Sequence, residues 1–276
     1  MSSGEVAYTQ TTDDPLALVL ESLEKGLHVN LIAGRPLITC GPDDGAAEVF
    51  QRPDCAPFDQ VPVRDGERIV GVLEKNQAAT STGRVADAML RLEDRMLLEA
   101  STGILEYLHL AVGGAYHLVV SGNRVDGIVT RSDLLKLPVR VVLFTVLTHL
   151  ETTMASTIKA SFQEDEWLQY LTEQRQEKLK GEFKQAKQLN TYADLLSFTQ
   201  WADKREIISK GILAKQTNKK SDFDKELEEL ELLRNAVMHS NMDLLSSLIH
   251  ATQLSSLVKQ ASYWIKYLSE ELKSEG

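Results

Sequence analysis

An α+β chain in two parts is predicted: a front half that repeats a strand–helix–strand–strand order, then a back half of helices alone. Three observations carry this. A strand–turn–strand pattern at residues 60–73 returns at residues 116–130, about fifty residues later, and repeats come first in reading a fold. From Leu137-Pro138 onward the pattern is helical throughout. At 276 residues, 43% apolar and 25% charged, the chain is of globular composition and long enough for two cores.

Residues 1–15 are expected to be a flexible polar tail, residues 16–137 the repeated module and residues 138–276 the helical domain. The start of the chain lacks the basic and apolar regions of a secretory signal. The longest apolar stretch, residues 139–150, is interrupted by Arg140 and His149 and is too short to span a bilayer. Cys40 and Cys55 are too few for a disulfide framework or a thiolate zinc site, and read as small packing residues. A cytoplasmic protein without a membrane partner is the expectation. The net charge of −10 argues against broad nonspecific nucleic-acid binding. The charge is uneven, however: 12 Lys and Arg face 20 Asp and Glu over residues 1–137, a balance of −8, and 18 face 20 over residues 138–276, a balance of −2. Any nucleic acid is expected to meet the second half.

In the front half, residues 16–25 read as a short helix ended by Gly26 in a left-handed conformation. An extended segment at 37–39 follows, then a Gly41-Pro42-Asp43-Asp44 turn capping a helix to about Gln51. Strands at 60–63 and 68–73 are joined by Arg64-Asp65-Gly66-Glu67, in which Asp-Gly is a hairpin signal. The second pass has a helix at 101–110, a strand at 116–120, a turn at Ser121-Gly122-Asn123, a strand at 124–130 and a helix starting at Ser132.

Arg68-Ile-Val-Gly71-Val-Leu-Glu74-Lys-Asn-Gln77 aligns with Arg124-Val-Asp-Gly127-Ile-Val-Thr130-Arg-Ser-Asp133. With its Gly-Ile-Val-Thr-Arg-Ser-Asp-Leu run, the front half resembles a tandem pair of CBS domains, the cystathionine-beta-synthase-type module. The resemblance implies βαββα repeats that bind a regulatory adenosyl ligand: ATP, ADP, AMP or S-adenosylmethionine. Thr130, delivered to a helix start, would meet phosphate through its hydroxyl and free backbone N–H groups, and Asp133 would accept from a ribose diol. Arg131 would be a further phosphate partner, or simply a solvated side chain. A helix cap alone also accounts for Thr130 and Asp133. The first repeat departs from the pattern with Glu74 and Gln77, a carboxylate that repels phosphate and an amide in place of the ribose acceptor. One working site is expected.

Pro138 suits the first turn of the next helix, 139–160, largely apolar in its first half and carrying His149 and Glu151. Helices follow at 167–187, with Leu168, Leu171, Leu179 and Phe183 as apolar contacts, and at 192–210, with Phe198 and Trp201 as core aromatics. Gly211 ends the latter. Residues 215–220 then read as a basic loop, whose Lys215, Lys219 and Lys220 offer an RNA backbone contact or an ordinary solvated surface. Ser221 caps the next helix, with Asp222 and Asp224 in its first turn and Phe223, Leu227, Leu230, Leu233 and Val237 as its buried stripe. Asn241-Met242-Asp243 interrupts the pattern. Residues 244–272 supply a helix pair or one long helix, with His250 structural.

Arg234, Asn235 and His239 close the striped helix. A guanidinium and an imidazole can cleave RNA without metal, since His moves protons near neutral pH and Arg stabilises charge developing on phosphate. Five residues along a helix turn about 140°, so the two share a face only loosely. The spacing is ordinary on helix surfaces. In this helical setting, with Asn235 after the Arg, the back half resembles the HEPN domain, the higher-eukaryote and prokaryote nucleotide-binding family. That resemblance implies a small helical bundle, often a homodimer. It implies a metal-independent endoribonuclease in which the ribose 2′-hydroxyl attacks the adjacent phosphate and leaves a cyclic phosphate, with no cofactor for catalysis. His239 would be base or acid, Arg234 would steady the phosphorane and Asn235 would position the site; Glu151 or His149 would be the polar residue of the first helix near them. The competing expectation is a noncatalytic protein in which the bundle dimerises and the adenosyl-sensing pair switches a partner.

Overall fold

The computed structural model describes residues 15–110, 114–188, 194–238 and 253–274. It divides into two compact units, residues 24–139 and the described residues before 24 together with those from 140 on.

In the unit of residues 24–139, two three-stranded sheets follow the repeat. The first contains β1 (Gln60–Asp65), β2 (Arg68–Glu74) and β3 (Leu90–Arg91), all antiparallel. The second contains β4 (Leu97–Glu99), parallel to β5 (Tyr116–Ser121), which is antiparallel to β6 (Arg124–Thr130). Each hairpin slips register at the same place, after Val63 and after Val119, with Val63 opposite Gly71 and Val119 opposite Gly127. The turns sit on Gly66 and Gly122, with φ of 55° and 61°, the left-handed values that primed two-residue turns require and glycine adopts without a Cβ penalty. The first loop is therefore Gly66-Glu67, one residue later than the Asp-Gly pair suggests.

The repeats exchange their leading segments. Gly34 bridges to Ile128 and His28 to Gly103, so residues 28–34 dock on the second sheet; β3 pairs with β2 and Arg84 bridges to Gly45, so residues 84–91 dock on the first. This exchange explains the glycine at the centre of each β2-type strand. A Cβ on Gly71 would collide with the Leu90 carbonyl oxygen, whereas one on Gly127 would stand 3.1 Å from the Ala33 Cβ. Gly71→Ala is accordingly expected to destabilise this unit by roughly 1–3 kcal/mol and Gly127→Ala by less, read from denaturation midpoints.

Two apolar clusters can be traced among the described residues of the unit. Cys40, Val49, Cys55, Val61, Val63, Leu73 and Val85 form one, and Ile69 and Val72 of β2 meet Tyr116 and Leu118 of β5 in the other. Both thiols are buried and free, as their packing role requires. Burial, with Asp44 adding to it, pushes the Cys40 thiol up to about 12 from the ordinary 9.0, and burial also raises Cys55. Both should react with a thiol reagent at pH 8 only after unfolding, measured as release of chromophore with and without denaturant. Because the folded state holds the proton more tightly, this contribution to stability is complete below pH 9 and declines as pH rises from 9 toward 12.

The helices of this unit are shorter than the sequence suggests. In place of a helix reaching Gln51 there is α2 (Ala46–Val49), because Gly45 stands at its N-cap and Pro53 biases Arg52 away from helix. The later ones are α3 (Lys75–Thr80), α4 (Val85–Ala88) and α5 (Ile104–Leu110), and the segment after β6 is a 3₁₀ turn, Arg131–Leu135. Helix α1 (Pro15–Gly26), whose residues before 24 fall in the other unit, ends at Gly26 without the left-handed conformation expected there.

The helical unit is built on α6 (Leu137–Ser161), α7 (Glu173–Gln188), α8 (Trp201–Ile207), α9 (Thr217–Met238) and α10 (Gln253–Ser274). Val142, Leu143, Val146, Leu147, Leu150, Met154 and Ile158 bury one side of α6 at helical spacing. At 25 residues this helix is long and apolar enough to cross a membrane by length and composition, unlike the shorter stretch read from sequence; 61% of its most apolar window is buried inside the protein. The stripe of α9 is buried as expected, and Phe223 meets the buried Trp264 edge-on at 4.9 Å. Trp201 donates to the Leu227 carbonyl at 3.1 Å, consistent with aromatics as core.

Three local expectations are corrected here. The helix expected over 192–210 is not continuous among its described residues: a 3₁₀ turn, Leu195–Phe198, precedes α8, and Asp203 caps α8 by accepting from the Gln200 N–H at 2.7 Å. Gly211 lies inside the π-helical turn Ile208–Ile212 instead of ending a helix, with the Phe162 and Tyr170 rings where a Cβ would be. Helix α9 starts at Thr217, so Ser221 is no cap and Lys219 and Lys220 are helical. The Lys219 ammonium lies 4.9 and 5.0 Å from the Tyr263 and Tyr267 ring centres, a cation–π contact that holds the extra turn.

Candidate functional site

Arg234 sits near the C-terminal end of α9 because the stripe that buries Leu230, Leu233 and Val237 turns it partly outward. Its Nε donates to Glu151 Oε2 on α6 at 3.3 Å, and one terminal nitrogen reaches Asn235 Oδ1 at 3.4 Å. The side chains of Arg234 and Glu151 are 26% and 23% exposed, so the pair is only partly shielded from solvent. Both line a narrow recess with Phe144, Leu147, Thr148, Val237 and Met238. Arg140 donates to the Val237 carbonyl at 3.0 Å, satisfying an orphan acceptor at the end of α9. His239 and His250 lie outside the described residues, as does the interruption at Asn241-Met242-Asp243.

Of the two α6 residues named beside the motif, Glu151 is the one against Arg234; His149 is buried. A residue that sequence reasoning missed completes the group. Lys204 of α8 donates to Glu151 Oε1 at 3.1 Å and to the Thr199 carbonyl at 2.7 Å. Nothing in the spacing of Lys204 signals this, since its partner lies 53 residues away in sequence. Chemically the arrangement is one carboxylate between two cations, with a net charge of one positive unit.

In the other unit, Thr130 and Asp133 form a capping box at the end of β6. Asp133 Oδ2 accepts from the Thr130 N–H at 2.6 Å and from its hydroxyl at 2.8 Å, while Oδ1 faces Lys136 at 2.7 Å. The cap expected as the simpler role of these residues is thus present. It does not exhaust them, because a carboxylate has about four acceptor positions. Arg131 is exposed beside them. Burial, with the Asp133 charge adding to it, pushes the nearby Tyr107 hydroxyl up to about 12. At the matching place in the first repeat, Glu74 makes no cap and the Gln77 Oε1 is buried without a partner.

Lys215 is exposed before α9, and Lys219 and Lys220 are half-buried in its first turn. The structure does not bring them to Arg234: they stand at the opposite end of α9, about 22 Å away at 1.5 Å per residue. Among the described residues, no group of three or more His, Cys, Asp or Glu is placed to hold a metal ion.

No protein-family profile matches the sequence, and no curated protein is significantly similar to it. Solved structures of CBS-domain pairs are similar to about 40% of the chain. The CBS domains of a transcriptional regulator from Streptococcus pneumoniae are 20% identical, with a TM-score of 0.35 over 40% of this chain and 97% of that one. The CBS-pair protein CBSX2 from Arabidopsis thaliana is 16% identical, with a TM-score of 0.37 over 42% and 96%. The same protein in complex with AMP is 18% identical, with a TM-score of 0.36 over 42% and 98%.

Proposed function

We propose that this chain is an adenine-nucleotide-responsive endoribonuclease in which residues 16–137 sense the ligand and residues 138–276 cut RNA without metal. The observation that carries the reading is the partly exposed Arg234 guanidinium, held by Glu151 through Nε alone at the edge of a recess. Its terminal nitrogens are the donors a phosphorane needs, and Asn235 beside it orients one of them. His239, next after the end of α9, is assigned the proton transfer, and a second Arg–His pair from a homodimer partner would supply the other proton step.

On the sensor side, the Thr130 N–H and hydroxyl are held by Asp133 Oδ2 at the turn start, so a phosphate would draw the hydroxyl away from that oxygen, and Asp133 retains acceptor positions for a ribose diol. Lys136, beside Asp133, adds positive charge. The ligand is assigned as AMP, ADP, ATP or S-adenosylmethionine, and AMP, bound in the Arabidopsis pair, is the first to test.

A noncatalytic regulator or dimerisation protein is the second reading, favoured by the net charge of −10, which weakens attraction for RNA. Incubating the purified chain with RNA in chelator decides between them. Cleavage that is lost in His239→Ala supports the nuclease; equal RNA decay with both proteins supports the regulator.

A further inference from the structure

Lys204 is a buried cation with no part in the reaction as assigned above. Its side chain is 7% exposed, and lysine is almost never buried without a partner. It has two: the Thr199 carbonyl at 2.7 Å and Glu151 Oε1 at 3.1 Å. The other oxygen of that carboxylate accepts from Arg234 Nε at 3.3 Å. Glu151 therefore serves two cations, one oxygen each, and α8, α6 and α9 are tied through one side chain.

We propose that Lys204 is a positioning residue for the Arg234 anion site, drawing Glu151 toward itself so that the guanidinium keeps its charge and its terminal nitrogens for phosphate. This rests on the reading of Arg234 as the phosphate-binding group. The physical reason is competition. A carboxylate left alone with an arginine closes onto it through two parallel hydrogen bonds, which neutralises the guanidinium and occupies its fork. With Oε1 held by Lys204, a single bond through Nε remains. The three side chains together also carry one net positive charge, where Glu151 and Arg234 alone would carry none.

The test uses the full chain carrying Lys204→Met, Lys204→Arg, Glu151→Gln or Glu151→Gln with Lys204→Met. Cleavage of an oligoribonucleotide is resolved into kcat and KM, and the Arg234 Nε–H resonance, assigned by its loss in Arg234→Lys, is recorded. Lys204→Met should raise KM about tenfold and move the resonance downfield as Glu151 tightens on Arg234. Lys204→Arg should restore most of the KM. The double variant, which removes both charges and leaves none buried alone, should recover KM but not kcat, because a neutral amide oxygen holds Nε more weakly than a carboxylate. A Lys204→Met enzyme whose loss merely follows its unfolded fraction, with the resonance unmoved, would overturn the proposal; so would a double variant no better than Lys204→Met. Should the unaltered chain cleave no RNA, the ribonuclease reading falls by itself. The resonance then decides alone for Lys204: a shift supports the positioning role and its absence refutes it.

Discussion

Replacing Arg234 with Ala should lower RNA cleavage by about 10² to 10³-fold, the loss typical of removing one donor aimed at charge that develops in the transition state. The helical unit should remain folded. Arg234 is about a quarter exposed, and Glu151 keeps Lys204 as a partner when the guanidinium is gone, so no carboxylate is left buried and unpaired. Arg234→Lys should recover little, because an ammonium cannot engage Glu151 and phosphate through separate edges of one planar group. Melting curves of the three proteins supply the check on folding. An Arg234→Ala protein that cleaves RNA at the normal rate would remove the guanidinium from the chemistry.

The second large effect concerns stoichiometry in the sensor half. Calorimetry with AMP should give one site per chain for the unaltered protein and none for Asp133→Ala. That substitution also removes the capping box, with a stability loss of about 0.5–2 kcal/mol, and leaves Lys136 with the Ile32 carbonyl alone. Binding is therefore to be compared at a temperature where both proteins are folded. In the first repeat, Glu74 and Gln77 stand at the matching positions, where the cap is absent and an amide oxygen is buried without a partner. Glu74→Thr with Gln77→Asp should rebuild the cap and raise the count to two. A count of one for that double variant would mean that the difference between the repeats lies elsewhere.

How much of this was legible in the sequence depends on how local each cause is. The hairpins were, because Gly66 and Gly122 mark turns that only a residue without a Cβ adopts freely, and Gly71 aligned with Gly127. The stripe on α9 was, because Phe223, Leu227, Leu230, Leu233 and Val237 recur at helical spacing. What could not be read was set by partners distant along the chain. The exchange of residues 28–34 and 84–91 between sheets depends on pairing with strands in the other repeat. Lys219 looks like a loop residue until the aromatic rings of α10, 44 positions on, give its charge a place in a helix. The candidate site divides in the same way. Arg234 and Asn235 are neighbours in sequence, whereas the contact with Glu151 spans 83 positions and that from Lys204 to Glu151 spans 53.

The most direct test is the rate at which the purified full chain cuts RNA, in chelator, as AMP is added. The account predicts fragments ending in cyclic phosphate, formed at a rate that changes with AMP and saturates, with no response to AMP in Asp133→Ala. Cleavage that ignores AMP, or no cleavage at any AMP concentration, would contradict the link between a nucleotide-sensing half and an RNA-cutting half.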